Sequence, residues 1–379
     1  MLLYLLGKVH VNMKVLHVIN SLELGGAEKL LSDFLPTLIQ TGKIETDLLV
    51  LSLENAFFLK DINKSKVKVF ESKFRIRDPR NILFIVDIVN QGGYEIVHSH
   101  TFPSQYWVSL AKSIFKKNVK LVTTEHSSHN NRRKIKALKY LEKYIYNKND
   151  MIISISDDVY ESLNNWINGN SISKNILIPN GVNLHKIDKT QPLNPYDFID
   201  NYRESLKLIG MVARFVDAKD QPTLIKALQY LPNEYQVVLV GDGPLLDKTV
   251  NLTTELGLEN RVHFLGKRNN PIGIIKACDV VVLSSHWEGH SLSSIEGLAS
   301  GRPFIASNVK GLSDVVKGAG LLFEEGNAIQ LAKLIEKSVN DQQFAQYIIR
   351  NSKLRSKDYS LDEMVRKHLI IYRELVGGE

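Results

Sequence analysis

Two carboxylates eight positions apart are the most chemically suggestive residues in the chain. Glu288 falls in the turn, and Glu296 in the helix, that follow the apolar run DVVVLSS, within SSHWEGHSLSSIEGLASGRPFIAS (284–307). A charged acceptor binds a hydroxyl strongly, so such a pair at a strand-to-helix turn suits the hydroxyls of a sugar and a ribose. Glu296 also has a structural alternative. Ser293-x-x-Glu296 matches a capping box in which the glutamate bonds back to the helix start, and Gly301 and Pro303 then end that helix. The alternative leaves Glu288 and the Gly289–Ser291 turn unexplained.

Two cations stand in a comparable place. Arg214 ends the run GMVAR and Lys219 follows in RFVDAKD. A planar fork and a point charge just past a strand end suit a diphosphate. The alternative is a solvated loop with an Asp217–Lys219 or Lys219–Asp220 pair. Gly25 and Gly26 open a helix directly after VLHVIN, where bare backbone and the helix dipole favour a phosphate, or where a tight turn needs glycine. In LVGDGP (239–244), Gly241 and Gly243 would let a nucleotide lie against backbone, although no Gly-Lys-Ser/Thr follows as in a Walker motif. His98 and His100 share one face of a strand. Without an adjacent acid or cysteine they read as cleft-lining residues rather than metal ligands. Cys278 reads as a small core residue.

These residues need strands and helices to hold them. Apolar runs at 14–20, 46–52, 67–71, 95–100, 120–126 and 151–156 alternate with helical patterns. A second series follows at 206–214, 235–241, 261–266, 279–285, 302–307 and 320–324. Strands alternating with helices imply crossovers and parallel sheets, and continuous apolar runs imply sheets covered on both faces. The expectation is α/β, with two Rossmann-like domains facing each other across a cleft. Residues 1–12 read as a flexible tail, 13–187 as an N-terminal domain, 188–204 as a linker and 205–358 as a C-terminal domain. Residues 359–379 read as a helix crossing back to the first domain. Ligands of such sheets sit at the carboxyl ends of the strands, where the residues above lie.

A chain of 379 residues exceeds one hydrophobic core. One cysteine allows neither an intrachain disulfide nor a four-cysteine zinc site, and no apolar run has membrane-spanning length. A cytoplasmic protein is expected. The net charge is +7, yet residues 107–148 alone hold eleven Lys or Arg against Glu125 and Glu142. Within RRKIKALKYLEKYIYNK, a continuous helix would align Arg132, Lys136, Lys139 and Lys143 beside an apolar stripe of Ile135, Leu138, Leu141 and Ile145. That is the pattern of a helix lying on an anionic membrane, and equally of an ordinary amphipathic helix packed on its own sheet. Nucleic acid is not expected as a partner, because the region lacks interleaved stacking aromatics.

The block EGHSLSSIEGLASGRPFIAS resembles the signature of glycosyltransferase family four: a Glu, seven residues, a second Glu, small residues, Gly-x-Pro and a strand. GGAE, TEHSS, LIPNGVN, VARFVDAKD, LVGDGP and VHFLG agree in order and spacing, so the resemblance spans roughly residues 14–325. It implies the GT-B fold and a retaining, metal-independent transfer of a hexose or N-acetylhexosamine. The donor would be a nucleoside-diphosphate sugar, with UDP as the expected nucleotide. The acceptor would be a glycan or a lipid-linked sugar in cell-surface polysaccharide synthesis. No cofactor is implied. Arg214 and Lys219 would hold the diphosphate and Glu296 the ribose. Glu288 would meet the sugar beside the amides of Gly289, His290, Ser291 and Leu292. Gly25, Gly26 and Gly241 would lie along the donor, and His126 would stand by its sugar. His290 departs from the aromatic or aliphatic residue common there. A sugar-nucleotide 2-epimerase shares the architecture but not the double glutamate.

Overall fold

The computed structural model describes residues 13–127, 130–167 and 174–377, so the expected tail lies outside the described residues. The chain forms two compact units. The first holds the described residues up to Asn180 and those from Leu361 onward, and the second is Gly181–Ser360.

The first unit is built on a parallel sheet of β1 (Met13–Ile19), β2 (Ile44–Val50), β3 (Lys68–Glu71), β4 (Ile96–His100), β5 (Lys120–Glu125), β6 (Met151–Ser154) and β7 (Asn175–Leu177). Its order is β3-β2-β1-β4-β5-β6-β7. The apolar strand residues are inside: Leu16, Val18, Leu49, Val97 and Leu121 form one cluster with Ile85 and Val89 of the helix Asn81–Gly92. Full burial of one such side chain contributes about 1.5–3 kcal/mol, more than any strand propensity. The last helix, Leu361–Val376, also belongs to this unit. Its Leu361, Met364, Val365, His368, Leu369 and Tyr372 recur at helical spacing and are buried, and the His368 ring packs 4.8 Å from that of Phe34.

The second unit repeats the plan with β8 (Lys207–Val212), β9 (Tyr235–Val240), β10 (Val262–Phe264), β11 (Val280–Leu283), β12 (Phe304–Ser307) and β13 (Leu321–Phe323). The order is β10-β9-β8-β11-β12-β13, again parallel. In each sheet the strand order reverses beside its first strand, between β1 and β4 and between β8 and β11. A crevice forms at the carboxyl ends of such a pair.

All twelve expected strands are present, and β7 is an addition. The stretch 188–204, expected as a linker, is instead part of the second unit. Ile199 is buried with Leu208, Val238 and Ile274, and the Leu193 N–H donates to the Gly273 carbonyl at 2.9 Å. Two prolines disguised a segment that packs through isolated apolar residues. Cys278 is buried as a core residue against Gly210.

Candidate active site

The loop after β8 is bent by a short 3-10 turn, Asp217–Lys219, and by Asp220 in the left-handed conformation (φ 44°, ψ 52°). The Asp220 carboxylate accepts from the Thr223 N–H at 3.2 Å and so starts the helix Gln221–Ala227. The loop after β11 is tied to this one. The Ser284 hydroxyl donates to the Asp220 carbonyl at 2.6 Å, and the His286 N–H to the Ala218 carbonyl at 2.9 Å. The tie places the Lys219 ammonium on Oε1 of Glu288, which also accepts from the Ser285 hydroxyl at 2.9 Å. The ion pair of Lys219 is therefore with Glu288, not with Asp217 or Asp220. Arg214 is exposed at the same strand end. Asp242 stands close by, its carboxyl held low chiefly by Lys267, 3.2 Å away, with Arg214 adding to the field.

Glu296 lies in the helix Leu292–Ala299, whose N-cap is Ser291. It is thus the fifth helical residue, two places beyond the capping-box position, so the capping-box alternative does not describe this helix. No side chain caps this helix start; the Ser294 hydroxyl instead donates back to the Ser291 carbonyl at 2.7 Å. The turn before the helix is propped from below. Gly311 has φ +85°, and a Cβ there would lie 2.2 Å from the Glu288 carbonyl oxygen. Gly241 has a similar use: with φ +145°, its Cβ would meet the Ala213 carbonyl at 2.0 Å. The bare backbone at 241 thus admits the protein's own strand end. His290 packs on Tyr359, ring centroids 5.2 Å apart, and burial pulls its imidazole down to about 4, so it is neutral.

In the first unit, Gly25 is the N-cap of the helix Gly26–Gln40 and Gly26 is exposed. The N-cap residue has no side chain to cap this helix start, and the Glu28 carboxylate of the first turn folds back against Gly25, where a Cβ would lie 2.1 Å from its Oε2. His126 follows β5 and is half-buried. Its Nε2 lies 3.4 Å from His100 Nδ1, and His100 Nε2 lies 3.0 Å from His17 Nδ1. His98 spends both nitrogens, on the Thr124 hydroxyl at 2.7 Å and the Tyr372 hydroxyl at 2.6 Å. His98 and His100 are buried, not cleft-lining, because the helix Leu361–Val376 covers β4 with His368 and Tyr372. The nitrogens of His17, His98 and His100 lie within 4.8 Å of one another. A metal there would take one nitrogen from each ring, and so would displace one His98 bond, to Thr124 or to Tyr372, and one His100 link, to His17 or to His126. Burial lowers all five imidazoles, His17 to about 3 and His126 and His368 to about 4, with His98 and His100 well below the usual range.

Two family models match, described as Glycosyltransferase Family 4 over residues 24–186 and Glycosyl transferases group 1 over residues 196–355. The chain belongs to the family-four glycosyltransferases. The chain is 28% identical over 297 residues to an uncharacterised glycosyltransferase of Methanocaldococcus jannaschii, covering 76% of this chain and 78% of that one. It is also 28% identical over 269 residues to the UDP-Gal:alpha-D-GlcNAc-diphosphoundecaprenol alpha-1,3-galactosyltransferase of Escherichia coli, covering 66% and 67%. The Anabaena protein HepE, solved in complex with UDP and glucose, superposes with a TM-score of 0.78 at 22% identity, over 95% of this chain and 99% of that one. That likeness is one of fold, GT-B with two Rossmann-like domains.

The basic segment of this glycosyltransferase departs from the expected single helix. Asn131–Lys134 is a 3-10 turn, Ile135 is extended, and the α-helix is Leu138–Asn147. Arg132 therefore leaves the stripe of Lys136, Lys139 and Lys143. It pairs with buried Glu142 at 3.2 Å and lies over the Phe102 ring at 3.9 Å. Ile145 is buried, whereas Ile135, Tyr140, Leu141 and Tyr144 are exposed, Tyr140 by 81%. No helix among the described residues is long and apolar enough to cross a membrane.

Sequence reasoning missed Ser285, Gly311, His17 and His368. The missed histidines come from other elements. His17 stands in register with His98 on the neighbouring strand, a signal that emerges only when β1 and β4 are recognised as partners.

Proposed function

We propose that this glycosyltransferase moves a hexose or N-acetylhexosamine from a UDP-sugar to a lipid-linked or glycan acceptor in cell-surface polysaccharide synthesis. The reaction would proceed with retention and without metal or cofactor. One observation carries the reading: Lys219 and Glu288 meet, with Arg214 past the same strand end, where the strand order of the second unit reverses. In this assignment Arg214 and Lys219 hold the diphosphate, Glu296 the ribose, and Glu288 the sugar. The amides of Gly289 to Leu292, at a helix start, face the charge that develops on the leaving diphosphate. Cations and backbone dipoles take the place of a metal ion. From the first unit, Gly25 and Gly26 serve the phosphate side and His126 the sugar. UDP and a diphosphate-linked lipid acceptor are supported by the name of the Escherichia coli relative.

Thermal shift with a panel of UDP- and GDP-sugars tests the donor, because a bound ligand raises stability by mass action. The expected outcome is a shift with a UDP-sugar. Turnover should be unchanged by EDTA, and product NMR should show the donor's anomeric configuration. Manganese-dependent activity or an inverted product would overturn the mechanism, and donor turnover without acceptor would favour an epimerase.

Docking on an anionic leaflet belongs to the same proposal, at a revised surface: Ile135, Tyr140, Leu141 and Tyr144 with Lys136 and Lys143 at their flank. Each basic residue near such a leaflet contributes roughly 1 kcal/mol. Liposome co-sedimentation should pellet the wild type with anionic but not neutral vesicles. A Lys136→Glu/Lys143→Glu variant should stay in solution, and equal behaviour would reduce the patch to a solvated face.

A further inference from the structure

His17, His100 and His126 form a chain with a single sense. His17 Nδ1 faces His100 Nε2 at 3.0 Å, and His100 Nδ1 faces His126 Nε2 at 3.4 Å. The ring centroids are 5.3 and 5.6 Å apart. Each separation exceeds its N–N distance by about two ring radii, so each bond runs in line through both rings rather than between stacked faces. Every link joins the Nδ1 of one ring to the Nε2 of the next. A neutral imidazole has one N–H and one acceptor. Only two arrangements therefore satisfy both links: all three protons on Nδ1, or all three on Nε2.

The buried end of the chain chooses between them. His17 is fully buried, and its Nε2 has no hydrogen-bond partner among the described residues. The phenyl ring of Phe34, 5.9 Å from the His17 ring, offers no lone pair to it. With the protons on Nε2, His17 would bury an N–H with no acceptor, the orphan that folded proteins tolerate least. With the protons on Nδ1, that nitrogen is a bare lone pair.

We infer that the relay fixes His126 as its Nδ1–H tautomer, so that it offers a hydrogen-bond donor past the carboxyl end of β5, with His17 and His100 as positioning residues. His126 is half-buried, and its Nδ1 is bonded to none of the described residues. That N–H is therefore the group left for a ligand oxygen. The inference rests on the reading that His126 meets the donor sugar, where the N–H would donate to a hydroxyl or ring oxygen and could not act as a base. Burial keeps the rings neutral near pH 7, which the relay requires. His98 stands outside it, with both nitrogens bonded elsewhere and its ring packed 4.2 Å from that of His100.

The test is a multiple-bond 1H–15N correlation on the full chain labelled at histidine, with His126 assigned by its loss in His126→Gln. The expected spectrum at neutral pH has His126 protonated on Nδ1. In His100→Leu the donor to His126 Nε2 is removed, so an Nε2–H form of His126 appears. kcat then falls severalfold while the donor KM changes little. His100→Asn, whose amide places an N–H where Nδ1 stood, restores both. A wild-type His126 protonated on Nε2 overturns the relay, and this measurement stands even if His100→Leu does not fold. An unchanged tautomer in His100→Leu also overturns it, as does stoichiometric capture of these nitrogens by added zinc. A correct tautomer with full turnover in His126→Gln would keep the relay and overturn the assignment of His126 to the sugar.

Discussion

Lys219 donates to Oε1 of Glu288, 69 residues further along the chain. The cation assigned to the diphosphate and the carboxylate assigned to the sugar are thus bonded to each other. A diphosphate that takes Lys219 competes with Glu288 for it. Glu288→Gln should therefore bind free UDP more tightly, by about threefold to tenfold, since the pair is partly screened and a charge-assisted bond contributes about 1.5–3 kcal/mol. Turnover should fall in the same variant. Titration calorimetry with UDP decides, and weaker binding would mean that the pair persists around the nucleotide.

Arg214 and Lys219 should not be equivalent. Arg214→Ala removes one charge-assisted contact, expected to cost about tenfold or more in UDP affinity. Lys219→Ala removes a contact and also leaves the Glu288 charge unneutralised beside the phosphates, so its loss should be larger. The Lys219→Ala/Glu288→Gln double variant should recover part of it, a non-additivity expected of residues in contact. Equal losses in the single variants with strictly additive behaviour would refute the competition.

Glu296→Ala should lower nucleotide affinity about tenfold or more while changing unfolding free energy by less than about 1 kcal/mol. The reason is its place as the fifth helical residue, beyond the capping position. A fall in melting temperature with intact UDP affinity would return Glu296 to a structural role.

Acid should weaken the first unit in a defined window. His17, His98, His100, His126 and His368 all have pKa values lowered by burial, His17 to about 3 and His126 and His368 to about 4. Below the unfolded value of about 6.5 the unfolded chain binds more protons than the folded one, so stability falls as pH falls. Each histidine adds at most about 1.4 kcal/mol per pH unit. Glu125, whose carboxyl is pushed up by burial, acts in the opposite sense with one proton against five. Urea midpoints should be flat above pH 7 and drop steeply from 6 to 4. A flat profile there would mean that the cluster is hydrated.

The strands were legible because both faces of each sheet are covered, so LKLIGMV or DVVVLS needs no alternation to be recognised. β7 was not, because Asn175–Leu177 is a three-residue edge strand with too short an apolar run. Arg214, Lys219 and Glu288 could be picked out by type and by their place past strand ends. The pairing of Lys219 with Glu288 could not, since it depends on β8 and β11 being neighbours. The basic stripe misled because helical spacing assumes an unbroken helix. Ile135 interrupts it, and buried Glu142 draws Arg132 inward. The histidine chain needed the register of β1 on β4 and a helix whose Tyr372 lies 274 residues after His98.

That late arrival bears on how the molecule is made. Domains usually complete in the order in which they emerge from the ribosome. Here the second unit is contiguous, whereas the first lacks the cover over Phe34 and His98 until Leu361–Val376 has been synthesised. The unit begun first is thus finished last. A nascent chain stalled at Ser360 should hold a protease-resistant second unit beside a first unit that is still cleaved within its opening strands.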